Sequence, residues 1–336
     1  MKQSILGFIL LYTLQVFGQS TNEVQVVLDK IITHAQEASL YRNNINWDSV
    51  KPQVYKLAKE AESVNDLSPA LKYLLKSLGD EHGRVFHNNQ IIAHYYSGEL
   101  KDHLKTFDPK IYNKIQMAQT YYFHTEMLEN EIGYIRIVGL PMGDNEKMAS
   151  EIQTEVCDLI NAGAKNWIVD LRYNGGGNMH PMAEGIALLI GDDIVGGSQG
   201  LTNTESSVWR VENGDFFYDE YSIELQDDCA PKNLPKIAVL TSVYTASSGE
   251  ALAVIFKGRD KTKFFGQKTF GMITVTDWEV IDETTAMTIS VSYYKDRNGN
   301  VYNEFVDVDK ELPFVIEPLS ENDESIRSAI NWLKED

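Results

Sequence analysis

Cysteine is scarce in this chain of 336 residues, and the common metal-binding patterns are missing. Its 2 cysteines are Cys157 and Cys229, and the sequence contains neither a CxxC pair nor an HExxH motif. Because protein zinc sites usually show such spacings, we expect no metal, and no other cofactor is indicated. Two cysteines do not make a disulfide framework, and Cys157 lies in a helical pattern where buried free thiols are common. Whether the two cysteines pair stays open.

Basic residues are also few, and long apolar runs are missing after residue 20. The chain has 30 Lys and Arg against 49 Asp and Glu, for a formal net charge of −19. A nucleic-acid partner needs a basic patch, so this balance argues against one. No later segment is apolar and long enough for a bilayer, so we expect no membrane span in the mature chain.

The first eighteen residues have the pattern of a signal peptide. Lys2 gives a positive start, Ile5 to Phe17 is almost entirely apolar, and cleavage after Gly18 would leave Gln19 as the first residue. A buried N-terminal strand or helix is the alternative. The pattern predicts export, to the periplasm or outside the cell.

The rest of the chain divides into three predicted parts. Residues 19–82 are predicted to form a helical N-terminal domain, because apolar residues recur at helical spacing and Ser68-Pro69 and Gly79 are typical helix ends. Residues 83–130 lack a clear period and lack the glycine-centred pattern of a PDZ domain, and we interpret them as a linker or substrate-contact segment. Alternating strands and helices predict an α/β core with parallel strands, within residues 131–336.

Two loops of this core are candidates for chemistry, because each follows a buried strand and leads into a helix. The first, DLRYNGGG at 170–177, contains three glycines whose N–H groups can approach a bound group closely. The second, TASSGE at 245–250, places Ser247 at the start of a helix. Each has a plainer interpretation: a tight turn for the glycines, and a helix capping box for Ser247 with Glu250.

The two loops and a third turn resemble one family of proteases. DLRYNGGG resembles the D-x-R-x-N-x-G-G loop of tail-specific (C-terminal processing) and tricorn-type serine proteases. TASSGE is similar to the serine segment of that family, and GQKTFG at 266–271 resembles its G-x-x-T-x-G turn. Order and spacing agree across 132–310, with the longest departure at 192–235.

This resemblance implies a fold and a reaction. The implied fold is a ClpP/crotonase-like αβ core with parallel strands, plus the small helical N-terminal domain. The implied reaction is hydrolysis of peptide bonds through an acyl-enzyme, in unfolded or C-terminal segments of a peptide or protein substrate. Ser247 would be the nucleophile, and the N–H groups of Ser248 and of Gly176 or Gly177 would form the oxyanion hole.

The base is the point at which the chain departs from the serine–lysine members of the family. Members with a serine–lysine pair carry lysine after T-x-G, where this chain has Met272. The tricorn-like branch uses a histidine from a segment preceding the core, and LGDEHG at 78–83 resembles that segment, which implies His82 as base. Glu304 sits where that branch places the carboxylate that orients the imidazole. Lys268 and His180 are rival bases.

Two other functions stay open from the sequence. Met272 and the absent PDZ pattern permit a catalytically inactive module that binds a small hydrophobic ligand or a peptide on the same fold. Hydrolysis of a non-peptide ester or amide is the other alternative, because a fold does not determine its substrate. Oligomeric state is not indicated.

Overall fold

The computed structural model describes residues 9–98, 101–117, 122–223, 225 and 229–335, without the side chains of 9–22 and 130. The predicted signal peptide at 1–18 therefore lies outside the described residues, apart from the main chain from Ile9 onward. Export therefore remains a prediction.

The helices are distributed along the whole described chain. They are α1 (Ile9–Ala38), α2 (Trp47–Leu57), α3 (Ser68–Leu78), α4 (Pro109–Met117), α5 (Asn145–Asn161), α6 (Met179–Gly185), α7 (Ala187–Ile190), α8 (Ser248–Phe256) and α9 (Glu324–Leu333). Within the described ranges, no helix combines the length and hydropathy that crossing a bilayer requires.

Within the described residues, the strands form three sheets. They are β1 (Arg84–His87), β2 (Gln90–His94), β3 (Phe123–Leu128), β4 (Ile132–Ile137), β5 (Asn166–Asp170), β6 (Asp193–Gln199), β7 (Ser207–Glu212), β8 (Asp215–Tyr218), β9 (Tyr221–Ser222), β10 (Ile237–Thr241), β11 (Thr262–Gly266), β12 (Thr274–Thr276), β13 (Glu279–Val280), β14 (Thr285–Thr288), β15 (Ser290–Asp296) and β16 (Lys310–Glu311).

The chain forms two compact units. Unit 1 contains residues 1–99 and 275–292, and unit 2 contains residues 100–274 and 293–336. The units divide the chain differently from the segments 1–18, 19–82, 83–130 and 131–336 expected from the sequence. Strands β1 and β2 join the helices of unit 1 because β1 pairs with β14, from a distant part of the chain.

Unit 1 is a helical layer on a small antiparallel sheet. The sheet has the order β13-β14-β1-β2, and Val85 pairs with Met287, both fully buried. Apolar residues at helical spacing in α1 and α3, such as Leu28, Ile31 and Leu74, pack into the same core. The helical N-terminal region is thus confirmed.

Unit 2 is centred on a sheet with the order β16-β11-β10-β5-β4-β3. Strands β4, β5, β10 and β11 are parallel, and β3 pairs antiparallel with β4 at the edge. Every residue of β10 is buried, as expected of a strand covered on both faces. The predicted α/β core with parallel strands is confirmed.

The 192–235 insertion forms part of another sheet, which has the order β12-β15-β6-β7-β8-β9. Cys229, at the end of this insertion, forms a disulfide with Cys157 of α5, with Cα atoms 5.5 Å apart. The pairing that the sequence left open is therefore present, and it ties the insertion to the helix between β4 and β5.

A buried ion network fixes the end of β5, where the glycine loop begins. Arg172 has no exposed surface; it donates to Asp170 at 2.9 and 2.7 Å and to Asp323 at 2.9 and 2.9 Å. Burial disfavours the charged guanidinium, but the two carboxylates outweigh this and raise the pKa of Arg172. Asp323 is also the N-cap of α9 and accepts a hydrogen bond from the N–H of Ile326 at 3.2 Å. The glycine loop and the C-terminal helix thus share one anchor.

We expect Asp323→Ala to destabilise the protein by roughly 3–5 kcal/mol, because it leaves Arg172 buried with half of its neutralising charge and removes a helix cap. Urea denaturation followed by circular dichroism measures this loss. Glu324→Ala, which removes an exposed carboxylate one position further on, is the control and should change stability by only about 0.5 kcal/mol. Equal effects of the two substitutions would contradict this account of the network.

Candidate active site

The three motif-bearing loops follow three neighbouring parallel strands of unit 2. Strand β10 lies between β5 and β11, and the loops begin after Asp170, Thr241 and Gly266, the last residues of these strands. The carboxyl ends of parallel strands lie at one edge of a sheet, which is where open α/β sheets bind ligands. The sequence motifs therefore meet at one edge.

Hydrogen bonds join the glycine loop to the serine loop. The hydroxyls of Ser242 and Thr245 donate to the carbonyl oxygens of Arg172 and Leu171 at 2.5 and 2.8 Å. The N–H of Ala246 donates to the carbonyl oxygen of Asn174 at 2.9 Å. Two of these bonds join a buried side-chain hydroxyl to backbone and one joins backbone to backbone, so the two loops are held together.

Ser247 has an unusual backbone conformation for a helix N-cap. It precedes α8 with φ +53° and ψ −122°, whereas the N-cap residues Asn46, Asp144 and Asp323 have φ between −91° and −75° and ψ between 91° and 100°. A positive φ costs a non-glycine residue about 1–3 kcal/mol and is typical of functional turns. Nucleophile serines of α/β-hydrolases occupy such a sharp strand-to-helix turn. Capping alone does not require this strain.

Glu250 holds Ser247 and the third motif together. Its buried carboxylate accepts hydrogen bonds from the N–H of Ser247 at 2.9 Å, the hydroxyl of Thr269 at 2.6 Å and the N–H of Gly271 at 2.7 Å. Burial raises the pKa of Glu250 to about 7. The three hydrogen bonds, and a fourth from the Met272 N–H, lower the pKa and so partly offset the effect of burial. The capping box expected from the sequence thus extends into a junction between two loops.

The glycine loop lies directly against Ser247. A Cβ atom on Gly176, whose φ is +104°, would lie 2.8 Å from the Cβ of Ser247, so only glycine fits there. The Gly176 N–H donates to the side-chain oxygen of Asn174 at 3.0 Å, while the Gly177 N–H has no acceptor among the described residues. The hydroxyl of Ser248 donates to the carbonyl oxygen of Gly177 at 2.6 Å. Of the two glycines, Gly177 is the one with an uncommitted amide.

Tyr294, in unit 2, makes a side-chain hydrogen bond with Ser247. It is 4% exposed and packs against Trp209, with ring centroids 5.7 Å apart. Burial, with the nearby Glu250 carboxylate, raises the pKa of Tyr294, so the phenol keeps its proton at neutral pH. The hydrogen bond with Ser247 acts in the opposite direction and lowers the pKa of Tyr294, as expected when the serine hydroxyl donates to the phenol oxygen.

His82 belongs to unit 1, where its turn is fixed by a buried carboxylate. Gly79 ends α3 in the left-handed conformation predicted for it, with φ +75°. Asp80, which follows, accepts hydrogen bonds from the N–H groups of His82 and Gly83 at 3.1 and 2.9 Å. The N–H and hydroxyl of Ser290 donate to Asp80 at 2.8 Å each. The His82 main chain is therefore held rigidly within its own unit, and its role as base stays a prediction.

Glu304 lies beside the third motif of unit 2, and its side chain is exposed. Its main chain contacts Gly271, where a Cβ atom would collide with the Glu304 carbonyl oxygen. The Glu304 carboxylate interacts electrostatically with His103, whose Nε2 is 3.2 Å from the carbonyl oxygen of Phe270 and whose ring lies 4.6 Å from that of Phe305. Burial lowers the pKa of His103. The predicted pairing of Glu304 with His82 stays a prediction.

The two rival bases, Lys268 and His180, both contact aromatic rings. The Nζ of Lys268 lies 4.7 Å from the ring centroid of Phe305, in a cation–π contact. The ring of His180 packs against Tyr218 and Tyr221, with centroids 5.4 and 4.9 Å apart, and burial lowers its pKa. The contacts shown for these two side chains are with aromatic rings outside the serine loop.

A match to a protein family decides what these loops belong to. The family model described as Peptidase family S41 matches residues 131–311, more than half of the chain and all three motifs. This chain belongs to peptidase family S41. It is therefore a serine-type peptidase, its substrates are peptides or proteins, and the resemblance to tail-specific proteases is confirmed.

Known relatives of this S41 peptidase agree with the assignment. A nisin-resistance protein of Lactococcus lactis subsp. lactis is 24% identical over 305 residues, which cover 90% of this chain and 85% of that protein. Carboxy-terminal processing protease CtpA of Bacillus subtilis is 26% identical over 177 residues, 52% of this chain and 34% of CtpA. A solved lipoprotein structure from Streptococcus agalactiae has the same fold, with a TM-score of 0.69 and 19% identity over 94% of this chain and 96% of that one.

Sequence reasoning missed Tyr294 and the choice between the two glycine amides. Tyr294 follows the predicted strand at 287–293, and nothing local marks it, because its partner Ser247 is far away in sequence. The Gly176 N–H donates to the Asn174 side chain only because of the rotamer that Asn174 adopts. The spacing of residues in a motif does not predict a rotamer. Among the described residues, no group of three or more His, Cys, Asp or Glu side chains could hold a metal ion.

The raised pKa of Glu250 predicts a pH-dependent stability. Its pKa rises from 4.5 to about 7 on folding, so its contribution is present below pH ~4.5 and is lost as pH rises through ~7. In Glu250→Gln this loss is absent, and the stability difference from wild type should change by on the order of 3 kcal/mol between pH 4.5 and 8. Urea denaturation across this range measures it, with exposed Glu146→Gln as control. A pH-independent difference would contradict the prediction.

Removal of the hydrogen bond between Ser247 and Tyr294 is predicted to slow the reaction at Ser247. Tyr294→Phe keeps the packing on Trp209 but removes the partner that orients the Ser247 hydroxyl, a hydrogen bond of ~1 kcal/mol, so Ser247 should react with a fluorophosphonate about fivefold more slowly. Stopped-time labelling followed by mass spectrometry gives the rate. Tyr302→Phe, which removes the hydroxyl that donates to Asp296 at 2.9 Å, is the control, and an equal slowing in both variants would refute a specific role.

Proposed function

We propose that this S41 peptidase is an exported serine endopeptidase that cleaves unfolded or C-terminal peptide segments through an acyl-enzyme on Ser247. The observation that carries the proposal is the strained backbone of Ser247, which has φ +53°. Ser247 also lies against the glycine loop, and its N–H donates to the buried carboxylate of Glu250. A capping serine needs none of this, whereas a nucleophile needs an exposed hydroxyl and nearby amide donors.

The reaction follows the general scheme of serine peptidases. The Ser247 oxygen attacks the peptide carbonyl while His82 accepts the serine proton, and the carbonyl oxygen becomes an oxyanion. The N–H groups of Ser248 and Gly177 stabilise that charge, with Gly176 shaping the loop, since its own N–H is bound to Asn174. His82 then returns the proton to the leaving amine, and water hydrolyses the acyl-enzyme by the same steps.

His82 is proposed as the base because the other candidates fit the role poorly. Lys268 is in a cation–π contact with Phe305, and His180 packs against tyrosine rings, where burial lowers its pKa. Met272, at the position of the family lysine, cannot accept a proton. His82 is held by a turn that resembles the histidine segment of the tricorn-like branch, and Asp80 fixes that turn. Glu304 is proposed to orient the imidazole and to stabilise its charged form.

Export is supported by two independent features. The first eighteen residues have the pattern of a signal peptide. The Cys157–Cys229 disulfide is of a kind that persists in oxidising compartments and is rare in the cytosol of most organisms. We therefore propose a periplasmic or secreted peptidase.

Nisin is the first named substrate to test. The likeness to a nisin-resistance protein covers 90% of this chain and 85% of that relative, so the two chains match nearly end to end. Incubation of nisin with the purified protein, followed by mass spectrometry, tests the idea directly. Intact nisin after long incubation would remove it from the candidate substrates while leaving the peptidase proposal in place.

Ser247→Ala should abolish hydrolysis of a peptide library and labelling by a fluorophosphonate. The expected loss is roughly 10³-fold or more, because the nucleophile is removed and only binding and oxyanion donors remain. Ser150→Ala, at an exposed serine of α5, is the matched control and should keep wild-type rates.

The outcomes separate this proposal from its alternatives. Wild-type protein that neither labels nor cleaves peptides, but binds a peptide or a small hydrophobic ligand in calorimetry, would favour the inactive binding module. Labelling with cleavage of ester substrates and no peptide cleavage would favour the non-peptide hydrolase.

A further inference from the structure

A cavity of about 340 Å³ adjoins the glycine loop in unit 2. It is lined by Tyr122, by the segment 138–141 and by the glycine loop at 175–177. Ligand pockets in proteins have volumes of roughly 300–1,000 Å³. This one is at the small end of the range, which suits a single amino-acid side chain with its main chain.

The cavity lies next to the proposed nucleophile. Gly176 is one of its lining residues, and it is also the residue on which a Cβ atom would lie 2.8 Å from the Cβ of Ser247. A peptide bond attacked by Ser247 would therefore lie beside this cavity.

The two walls of the cavity are fixed to each other through backbone. The Gly175 N–H donates to the Val138 carbonyl oxygen at 3.2 Å, and the Asn178 N–H donates to the Leu140 carbonyl oxygen at 2.7 Å. Leu140 and Gly177 form a parallel bridge. The cavity is thus a preformed part of the sheet edge.

The lining is apolar or uncharged. Val138 and Leu140 are buried apolar side chains, Pro141 lies at the surface, and Tyr122 is 49% exposed. The adjoining Met142 is 83% exposed. No lining residue carries a charged side chain, so a charged group placed there would lose hydration without gaining a partner.

We propose that this cavity is a specificity subsite that holds an uncharged, apolar side chain of the residue on one side of the scissile bond. The inference rests on the proposed function, because it assumes that Ser247 attacks the substrate. It makes the substrate class narrower: peptides with residues such as leucine, methionine or phenylalanine next to the cleaved bond.

Tyr122 offers a way to change the preference without disturbing the core. Its side chain is at the exposed rim, while its carbonyl oxygen accepts the Val138 N–H at 2.9 Å whatever the side chain is. Tyr122→Lys places a positive charge at the mouth of the cavity, and Tyr122→Glu places a negative one. Both variants lose the aromatic ring, so a difference between their cleavage profiles reports the effect of the charge.

The experiment is profiling of cleavage sites in a peptide library by mass spectrometry, with the purified full chain and both variants. Wild type should prefer apolar over charged residues by ~10-fold or more at one position flanking the cleaved bond. Tyr122→Lys should raise the relative kcat/KM for glutamate there by about twofold to fivefold, and Tyr122→Glu should do the same for lysine. Ile194→Lys, at a side chain that is 57% exposed and outside the cavity lining, should leave the wild-type profile.

Fluorophosphonate labelling distinguishes the two levels of failure, because the small probe needs no side-chain subsite. A labelled, active enzyme with no apolar preference at either flanking position, or with identical profiles for the two Tyr122 variants, would overturn the subsite and leave the proposed function standing. A protein that neither labels nor cleaves would overturn both.

Discussion

The guanidinium of Arg172 is a full positive charge without solvent, and the site depends on how the fold neutralises it. Asp170 at the end of β5 and Asp323 at the start of α9 each bond it twice. A charge buried in this way is tolerated only with complete pairing and well-placed hydrogen bonds. The glycine loop starts at this point, so its path is set by electrostatics in the core.

Glu250 is a second buried ionisable group that is held by hydrogen bonds, here an acidic side chain surrounded by donors. A buried carboxylate can only accept hydrogen bonds, and here its donors are the N–H groups of Ser247 and Gly271 and the hydroxyl of Thr269. These bonds offset the strain of a positive φ at Ser247. The serine loop is thus held from behind by a buried carboxyl group, and the side proposed to face the substrate consists of amides and a hydroxyl.

Local features of this protein could be predicted from its sequence, and distant pairings could not. The ends of α3 at Ser68-Pro69 and Gly79, and the parallel strands from 132 to 260, follow from capping and periodicity. The three motifs located the candidate site. The pairing of β1 with β14 and the contact of Tyr294 with Ser247 join residues far apart in the chain. Such pairs depend on tertiary packing, which local patterns do not encode.

The disulfide between α5 and the insertion has a consequence for how the chain would respond to proteolytic cleavage. It closes a covalent ring of the chain that includes β5, the glycine loop and strands β6 to β9, since its cysteines are 72 positions apart. A single cut at an exposed turn of the insertion would leave both fragments joined through sulfur. The nicked chain would keep its glycine loop attached to the strands beside it, and so would retain its sheet edge after damage that would split an unlinked chain.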